Sequence, residues 1–369
     1  MKIGREDMLG KISFSIIGGA GFRAQYYLRI ARALPDLFHV AGMVVRDGEK
    51  GGEMERKWGV KTYRNMELLL TKEKPDFVVL SVSGSECAQL LFQLAEAGIP
   101  VLTETPPGQN LDDLLALHER LTVNGAIVQV AEQYHLHPLN QARLALIDSG
   151  RLGEITQATV SVSHMYHGAS LIRKMLGIQF EEAEIKAIRF TSPILAGPDR
   201  VGTPREEKTL FTERDLAWLQ FGEKLGIYDF TKDQHRSWIR SNHLSVRGLK
   251  GELFDSQVKL LSDFATPLPL ELKRINRGEG ENQEGYYLAG IIAGESWVYR
   301  NPFAPARLYD DEIAIAACLQ KMAVYISGGP GFYGLPEASQ DCYIGFKIEE
   351  AIATGETVKV SRQPWASFA

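Results

Sequence analysis

Phe14-Ser15-Ile16-Ile17-Gly18-Gly19-Ala20-Gly21-Phe22-Arg23-Ala24 runs an apolar strand directly into a glycine-rich turn, and the residues after it read as a helix. Gly19, Gly21 and Ala24 fit the pattern G-x-G-x-x-G/A. The first small residue permits a tight turn, the second admits phosphates to the backbone, and the third lets helix and strand pack closely. The unpaired N–H groups at a helix start carry a partial positive charge, so this junction suits a dinucleotide diphosphate. Gly19, Gly21, Phe22 and Arg23 are accordingly the first cofactor-binding candidates. Gly18 leaves a second register open, Gly18-x-Ala20-x-x-Arg23, and a turn that is glycine-rich for steric reasons alone has the same appearance.

Outward from this turn, residues 12–130 alternate short apolar runs with helix-length segments, the spacing of a doubly wound parallel sheet. Strands are expected at Phe14–Ile17, Val40–Val45, Phe77–Val82, Val101–Thr103 and Ile127–Val130. Helices are expected at Ala24–Ala33, Glu49–Trp58, Met66–Thr71, Glu86–Ala97 and Leu111–Asn124, with Pro or Gly at several of the stops. Beyond Val130 the pattern changes. After a helix at Leu139–Asp148, strand-like segments follow at Ile155–Ser163, Glu184–Thr191, Leu225–Thr231, Arg236–Val246, Leu253–Leu260, Pro269–Ile275 and Tyr286–Trp297, with Gly248-Leu249-Lys250-Gly251 as a turn. Residues 196–223 and 277–285 are the least regular. Helices at Asp310–Ile326 and near Cys342–Thr354 close the chain. The expected class is α/β: a Rossmann domain over residues 1–133, then an α+β domain over 134–369 with a large open, mostly antiparallel sheet, whose last helices can pack back on the first domain.

The 369-residue length favours two domains, and 44% hydrophobic with 24% charged residues is an ordinary globular composition. The formal charge of −5, without a basic block, argues against nucleic-acid or polybasic membrane binding. Cys87, Cys318 and Cys342 lack the spacing of a disulfide framework or zinc site, as expected of buried free thiols in a reducing compartment. The first eleven residues carry Lys2, Arg5, Glu6 and Asp7 without an apolar core, and no apolar run reaches the roughly 18 residues of a membrane span. A cytoplasmic chain is expected.

Together, the glycine turn, Pro75-Asp76-Phe77-Val78-Val79-Leu80, Ala97-Gly98-Ile99-Pro100-Val101-Leu102-Thr103-Glu104-Thr105-Pro106, Ser149-Gly150-Arg151-Leu152-Gly153-Glu154-Ile155 and Glu350-Ala351-Ile352-Ala353-Thr354-Gly355 resemble the Gfo/Idh/MocA oxidoreductases. The resemblance runs nearly end to end. It implies a Rossmann domain followed by an open-sheet domain, NAD or NADP as cofactor, a sugar, inositol or polyol substrate, and a homodimer or homotetramer. The family's Glu-Lys-Pro motif reads Glu104-Thr105-Pro106 here, so the lysine near nicotinamide and substrate is absent. Thr105 has neither its charge nor its pKa. Glu73-Lys74-Pro75 does not replace it, because it lies at a strand's amino end, opposite to where ligands bind.

The family's Asp-x-x-x-His signature, with glycine ten residues after the histidine, places the histidine at His167 and puts Ser163 where the aspartate stands. An imidazole can take a hydroxyl proton near neutrality, so His167 is the first catalytic candidate, with Tyr134 or His135 assisting; a helix-start histidine with no chemical role is the plainer alternative. Thr105, His137, His164 and Lys174 are substrate-binding candidates. No metal is expected, since these histidines lack acidic or cysteine partners at ligand spacing. Lys174 with Arg173 either replaces the lost lysine or forms a solvated face. Arg236, Arg240, His243 and Arg247 either recognise a carboxylate or phosphate or pair across strands with glutamates. Ser81 and Ser83 follow the Phe77 strand where ribose would lie, and Glu104 joins Thr105 at the floor. Val44-Val45-Arg46-Asp47 places an arginine before the acid at the ribose position, which favours NADP. The two substitutions also motivate rival readings: a cofactor-retaining lyase or glycosidase-like enzyme, and a dinucleotide-binding sensor without chemistry.

Overall fold

The computed structural model describes residues 10–82, 84–282 and 284–367, so Ser83 lies outside the described residues. The first sheet is parallel with strand order β3-β2-β1-β4-β5-β6. Its strands are β1 (Ile12–Ile17), β2 (Phe38–Val44), β3 (Thr62–Tyr63), β4 (Phe77–Leu80), β5 (Val101–Thr103) and β6 (Val128–Val130). Between them lie α1 (Ala24–Ala33), α2 (Gly48–Trp58), α3 (Met66–Lys72), α4 (Gly84–Glu96) and α5 (Leu111–Leu117). Asp47, Asn65 and Asn110 start α2, α3 and α5 by accepting from Lys50, Leu68 and Asp113 N–H groups, satisfying donors that a helix cannot pair internally. The helix expected to run to Asn124 changes pitch at His118–Thr122, where the Val123 N–H reaches back to the His118 carbonyl. The order reverses at β1, between β2 and β4, and the glycine turn sits at that switch point, where ligands of such sheets bind.

The second sheet has order β16-β15-β14-β13-β12-β11-β7-β10-β9-β8-β17. Its strands are β7 (Ile155–Ser161), β8 (Ala183–Leu195), β9 (Thr209–Phe221), β10 (Lys224–Thr231), β11 (His243–Gly248), β12 (Gly251–Phe254), β13 (Gln257–Leu261), β14 (Pro267–Arg277), β15 (Tyr287–Ala293), β16 (Ser296–Arg300) and β17 (Val358–Val360). Only β7 and β10 pair in parallel; the other ladders are antiparallel. Helices α6 (Pro138–Asp148), α7 (Met165–Leu176), α8 (Asp310–Ile326) and α9 (Leu335–Thr354) complete the fold.

Four expectations change. Leu253–Leu260 is a hairpin, because Asp255 adopts φ 53° and its carboxylate accepts from the Leu244 N–H. Tyr286–Trp297 is likewise two strands, β15 and β16, joined at Gly294. The segment 196–223 contains β9, which pairs with β8 along its length; the buried Asp215 that breaks its apolar alternation is held bidentately by Arg189 at 2.6 and 2.9 Å. Arg236 and Arg240 are not on a strand, since a 3-10 turn at Lys232–His235 precedes an irregular stretch and β11 begins only at His243. Arg247 does pair across strands, donating to Glu252 at 2.6 Å.

The two sheets share cores with helices from both ends of the chain. Ile313, Ile315 and Leu319 of α8 join Phe14, Ile16 and Tyr27 in one buried cluster, and Arg29 of α1 donates to the buried Glu312 at 2.6 Å. Thus α8 covers the first sheet alongside α1. A second cluster joins α7 and α9 to the inner face of the large sheet and to β6. No described helix is long and apolar enough to cross a membrane.

Candidate active site

Gly18 has φ +94°, and a Cβ there would stand 2.0 Å from the Ser81 carbonyl oxygen, so only glycine fits where β1 and β4 end side by side. Gly18 thus carries the steric demand of the turn. Gly21 has more room, its nearest neighbour for a Cβ being the Gly18 carbonyl oxygen at 3.5 Å. Arg23, at the start of α1, donates to Glu104 at 2.8 Å, and Tyr27 donates to the same oxygen at 2.5 Å. Glu104 is therefore fixed at the end of β5.

Opposite this floor stands His167, in the first turn of α7. Its Nδ1 lies 2.5 Å from Oε2 of Glu132, just beyond β6. Both side chains are buried, at 5% and 1% exposure. Oε1 of Glu132 accepts from the Tyr134 N–H at 3.1 Å. Asn140 and Gln141 donate to the Tyr134 and His135 carbonyls, pinning that turn to α6. Gly168 is needed beside His167 because the Tyr228 ring lies 2.6 Å from where a Cβ would project. Tyr228 also accepts from the Met165 N–H, which fixes the start of α7.

Burial pushes the Glu132 carboxyl up to about 8 and the His167 imidazole down to about 3. Each group alone is driven towards its uncharged form by loss of water. At 2.5 Å they titrate as a unit, so one proton is held by the pair at neutral pH. With Nδ1 engaged, Nε2 is the nitrogen left for chemistry. Aromatic groups surround the ring: Tyr134 at 4.6 Å, Tyr166 at 4.4 Å and His164 at 5.0 Å between centroids. Burial raises the Tyr134 phenol to about 12 and also raises Tyr166, with the Thr105 side chain in hydrogen-bonding reach opposing the latter shift. Both phenols are proton donors at neutral pH.

These groups line a cavity of about 550 Å3 between the strand ends of the first sheet and α7. Gly21, Phe22, Arg23, Ser81, Glu104, Thr105, Tyr134, His164 and His167 meet there, as do Tyr166, Arg200, His235, Arg236 and Asp311. A larger open groove of about 980 Å3, beside Arg32, Trp58 and Tyr286, lies away from the glycine turn. Gly19 stands in the turn against Met43. His137 approaches the cavity through Asp311, 3.1 Å away, and this contact holds the Asp311 carboxyl below its usual range. His135 is outside the cavity lining: it is buried, stacked on Tyr333 at 5.4 Å, and lowered to about 3 by burial. Lys174 is also outside it, 5.4 Å from the Tyr333 ring, while Arg173 is spent in a buried pair with Asp341 at 2.7 Å. Arg46 is exposed at the end of β2 and pairs with Glu86. Asp47 is occupied as the cap of α2, and Arg64 reinforces the strand end by donating to the Val45 carbonyl at 2.7 Å.

Glu132 is the functional candidate that sequence reasoning missed. Its signal was an acid directly after the apolar run of β6, at the carboxyl end of a parallel strand. Tyr166 had the weaker signal of adjacency to His167. Arg200 had only the signal of lying in the irregular segment 196–223, which can shape a pocket, and His235, at the end of a 3-10 turn, had none.

This arrangement is a nucleotide-type switch-point cleft with a carboxylate-supported imidazole. Residues 12–132 match the family described as oxidoreductase family, NAD-binding Rossmann fold, GFO_IDH_MocA. D-xylose 1-dehydrogenase (NADP(+)) 2 of Haloferax volcanii is 25% identical over 193 residues, 51% of this chain and 58% of that enzyme. Among solved structures, levoglucosan dehydrogenase in complex with NADH and levoglucosan superposes with TM-score 0.68 at 17% identity, covering 95% of this chain and 100% of the other. An oxidoreductase from Agrobacterium radiobacter in complex with NAD+, L-tartaric acid and magnesium gives TM-score 0.66 at 15% identity, covering 94% and 98%. The fold is thus shared along nearly the whole chain.

Proposed function

We propose that this protein is an NADP-dependent dehydrogenase that interconverts a hydroxyl and a carbonyl on a sugar, inositol or related polyol. The observation that carries this reading is the Glu132–His167 pair opening on a cavity whose opposite wall is the glycine turn. The turn suits a dinucleotide: Gly18 draws β1 against the Ser81 backbone, and the space above Gly21 is clear of side chains. The Gly19 and Gly21 N–H groups donate to the Val44 and Gly18 carbonyls at 3.1 and 3.3 Å and so shape the turn, which leaves the Phe22 N–H and the start of α1 to hold the diphosphate, with Arg23 and Glu104 behind them. Arg46, backed by Arg64, would meet a ribose 2′-phosphate, since Asp47 is committed to its helix. The relative from Haloferax volcanii, an NADP(+) enzyme by name, supports the same preference.

A bound nicotinamide supplies the acceptance or return of hydride at the carbinol carbon. The protein handles the proton. In oxidation, Nε2 of His167 takes the hydroxyl proton while Glu132 accepts the Nδ1–H. In reduction, Nε2–H donates to the developing alcohol and Glu132 returns its proton to Nδ1. Without the motif lysine, the phenols of Tyr134 and Tyr166 provide uncharged donors to the reacting oxygen. Thr105 buttresses Tyr166, and Ser81 and His164 add hydrogen-bonding capacity around a polyhydroxyl ligand.

The chain would assemble as a homodimer or homotetramer through the outer face of its large sheet. Calorimetry on nucleotide-stripped protein with NADP+ and NAD+, followed by a sugar and polyol panel read at nicotinamide absorbance, tests the reading. The expected result is binding with NADP+ preferred, and turnover that falls about 10²- to 10⁴-fold in His167→Ala at unchanged nucleotide affinity. No nucleotide binding at millimolar concentration, or a wild-type rate in His167→Ala, would overturn it.

A further inference from the structure

We propose that the substrate is an anionic carbohydrate whose carboxylate or phosphate is bound by Arg236 and Arg200 at the outer end of the cavity. This deepens the dehydrogenase reading and rests on it. The cavity wall carries three guanidinium groups, and only one is neutralised: Arg23 is paired with Glu104. Asp311, the other acid of the wall, is engaged by His137. Among the described residues Arg236 has no side-chain hydrogen bond or ion pair, and the Arg200 guanidinium rests only on the Phe22 ring, 5.2 Å from its centroid. Among the described residues two cations without a carboxylate partner therefore face one cleft beside one further carboxylate, Asp311, held by His137, and the net field concentrates anions. Planar guanidinium forks bind carboxylate and phosphate bidentately.

The intervening groups have the chemistry of a sugar-binding path. His164 lies 5.0 Å from His167 and 5.9 Å from His235, ring to ring, and Arg236 adjoins His235 in sequence. Burial holds His164 and His235 towards their uncharged forms, reinforced for His235 by Arg236. Uncharged imidazoles both donate and accept, which suits successive hydroxyls. A molecule presenting its reacting hydroxyl at His167 thus extends along two imidazoles before meeting the guanidiniums. The acidic group then sits several carbons from the reacting carbon.

Calorimetry on the NADP+-loaded protein, with hexuronates, aldonates and hexose 6-phosphates against the matching neutral hexoses and polyols, tests this. An acid or phosphate should bind at least about tenfold more tightly than its neutral counterpart, a difference of about 1.4 kcal/mol, and the tighter arm identifies the anion. Arg236→Gln and Arg200→Gln should each raise KM for the anionic sugar about tenfold, with kcat and nucleotide affinity unchanged. Equal binding of neutral and anionic compounds overturns the proposal. So does weaker nucleotide binding by the variants in the absence of sugar, which would assign both arginines to the cofactor. Failure of the dehydrogenase reading shows separately, as no nucleotide binding by the wild type, and the same sugar comparison run on the nucleotide-free protein then decides the anion preference.

Discussion

Glu132, with 1% of its surface exposed, has exchanged water for one imidazole and one backbone N–H. Its raised pKa gives the proposed reaction a pH dependence with a defined sign. In the proposed reaction, below about 8 the Glu132–His167 pair retains its proton and Nε2 would carry the hydrogen that reduces a carbonyl. Above that value the pair has lost the proton, Nδ1–H donates to the carboxylate, and Nε2 can accept from an alcohol. Oxidation should therefore rise as pH passes upward through about 8, and reduction should fall over the same interval. In Glu132→Gln that inflection should vanish from the alkaline range, with oxidation falling about a hundredfold or more; pH–rate profiles in both directions provide the check. At the other end of the cleft, Arg46→Ala should weaken NADP+ about tenfold, the scale of one lost charge-assisted contact, and leave NAD+ unchanged. His167 was within reach of the sequence because its spacing to Gly177 is local. Its carboxylate partner was not: the acid was sought four residues earlier, where Ser163 stands, but comes from another strand 35 positions away.

At the level of elements, the glycine turn makes the most exacting demand. Gly18→Ala would set a Cβ 2.0 Å from the Ser81 carbonyl oxygen at a φ of +94°, so β1 and β4 must separate at their ends. The strained conformation alone costs about 1–2 kcal/mol. The variant should melt at lower temperature and lose nucleotide affinity, whereas Gly21→Ala, which meets nothing closer than 3.5 Å, should keep its melting temperature. Thermal melts of both, with and without NADP+, separate the two effects. The first sheet was legible for a related reason. Its strands are buried on both faces and read as apolar runs, and its helices carry local caps such as Asp47 and Asn65. The second sheet has one face open, so polar and apolar residues alternate, and hairpins interrupt segments that look continuous. Asp255 turns the chain within Leu253–Leu260 by adopting a left-handed conformation, and β9 hides Asp215 behind a pair with Arg189, which belongs to a strand 26 residues earlier. Neither device shows in the local pattern.

Taken whole, the molecule covers one face of its large sheet with α7 and α9, while large apolar side chains stand exposed on the other. In the β8–β9 ladder, Ile188 stands opposite Leu216, and Phe190 opposite Arg214, on the side away from Ile185 and Ala187, which are buried. Trp218 is on the same outer side, opposite Lys186. Ile188, Phe190 and Trp218 are 51%, 58% and 44% exposed, and Phe254 on β12 is 51% exposed. Isolated apolar side chains on a surface need no explanation, but large ones gathered on one sheet face are the usual mark of an interface. Self-association is the use we propose for this face: β8 and β9, each 13 residues long, offer a broad surface that a second copy would meet through a two-fold axis with the same residues on both sides. Light scattering should give at least twice the 41.1 kDa chain mass for the wild type. Phe190→Glu combined with Trp218→Glu should give a monomer, because each glutamate would have to lose water against the partner's apolar face. Those positions lie on the side of the sheet opposite α7. The monomer should therefore retain nucleotide affinity, and a wild-type chain already monomeric at micromolar concentration would show that this face meets only solvent.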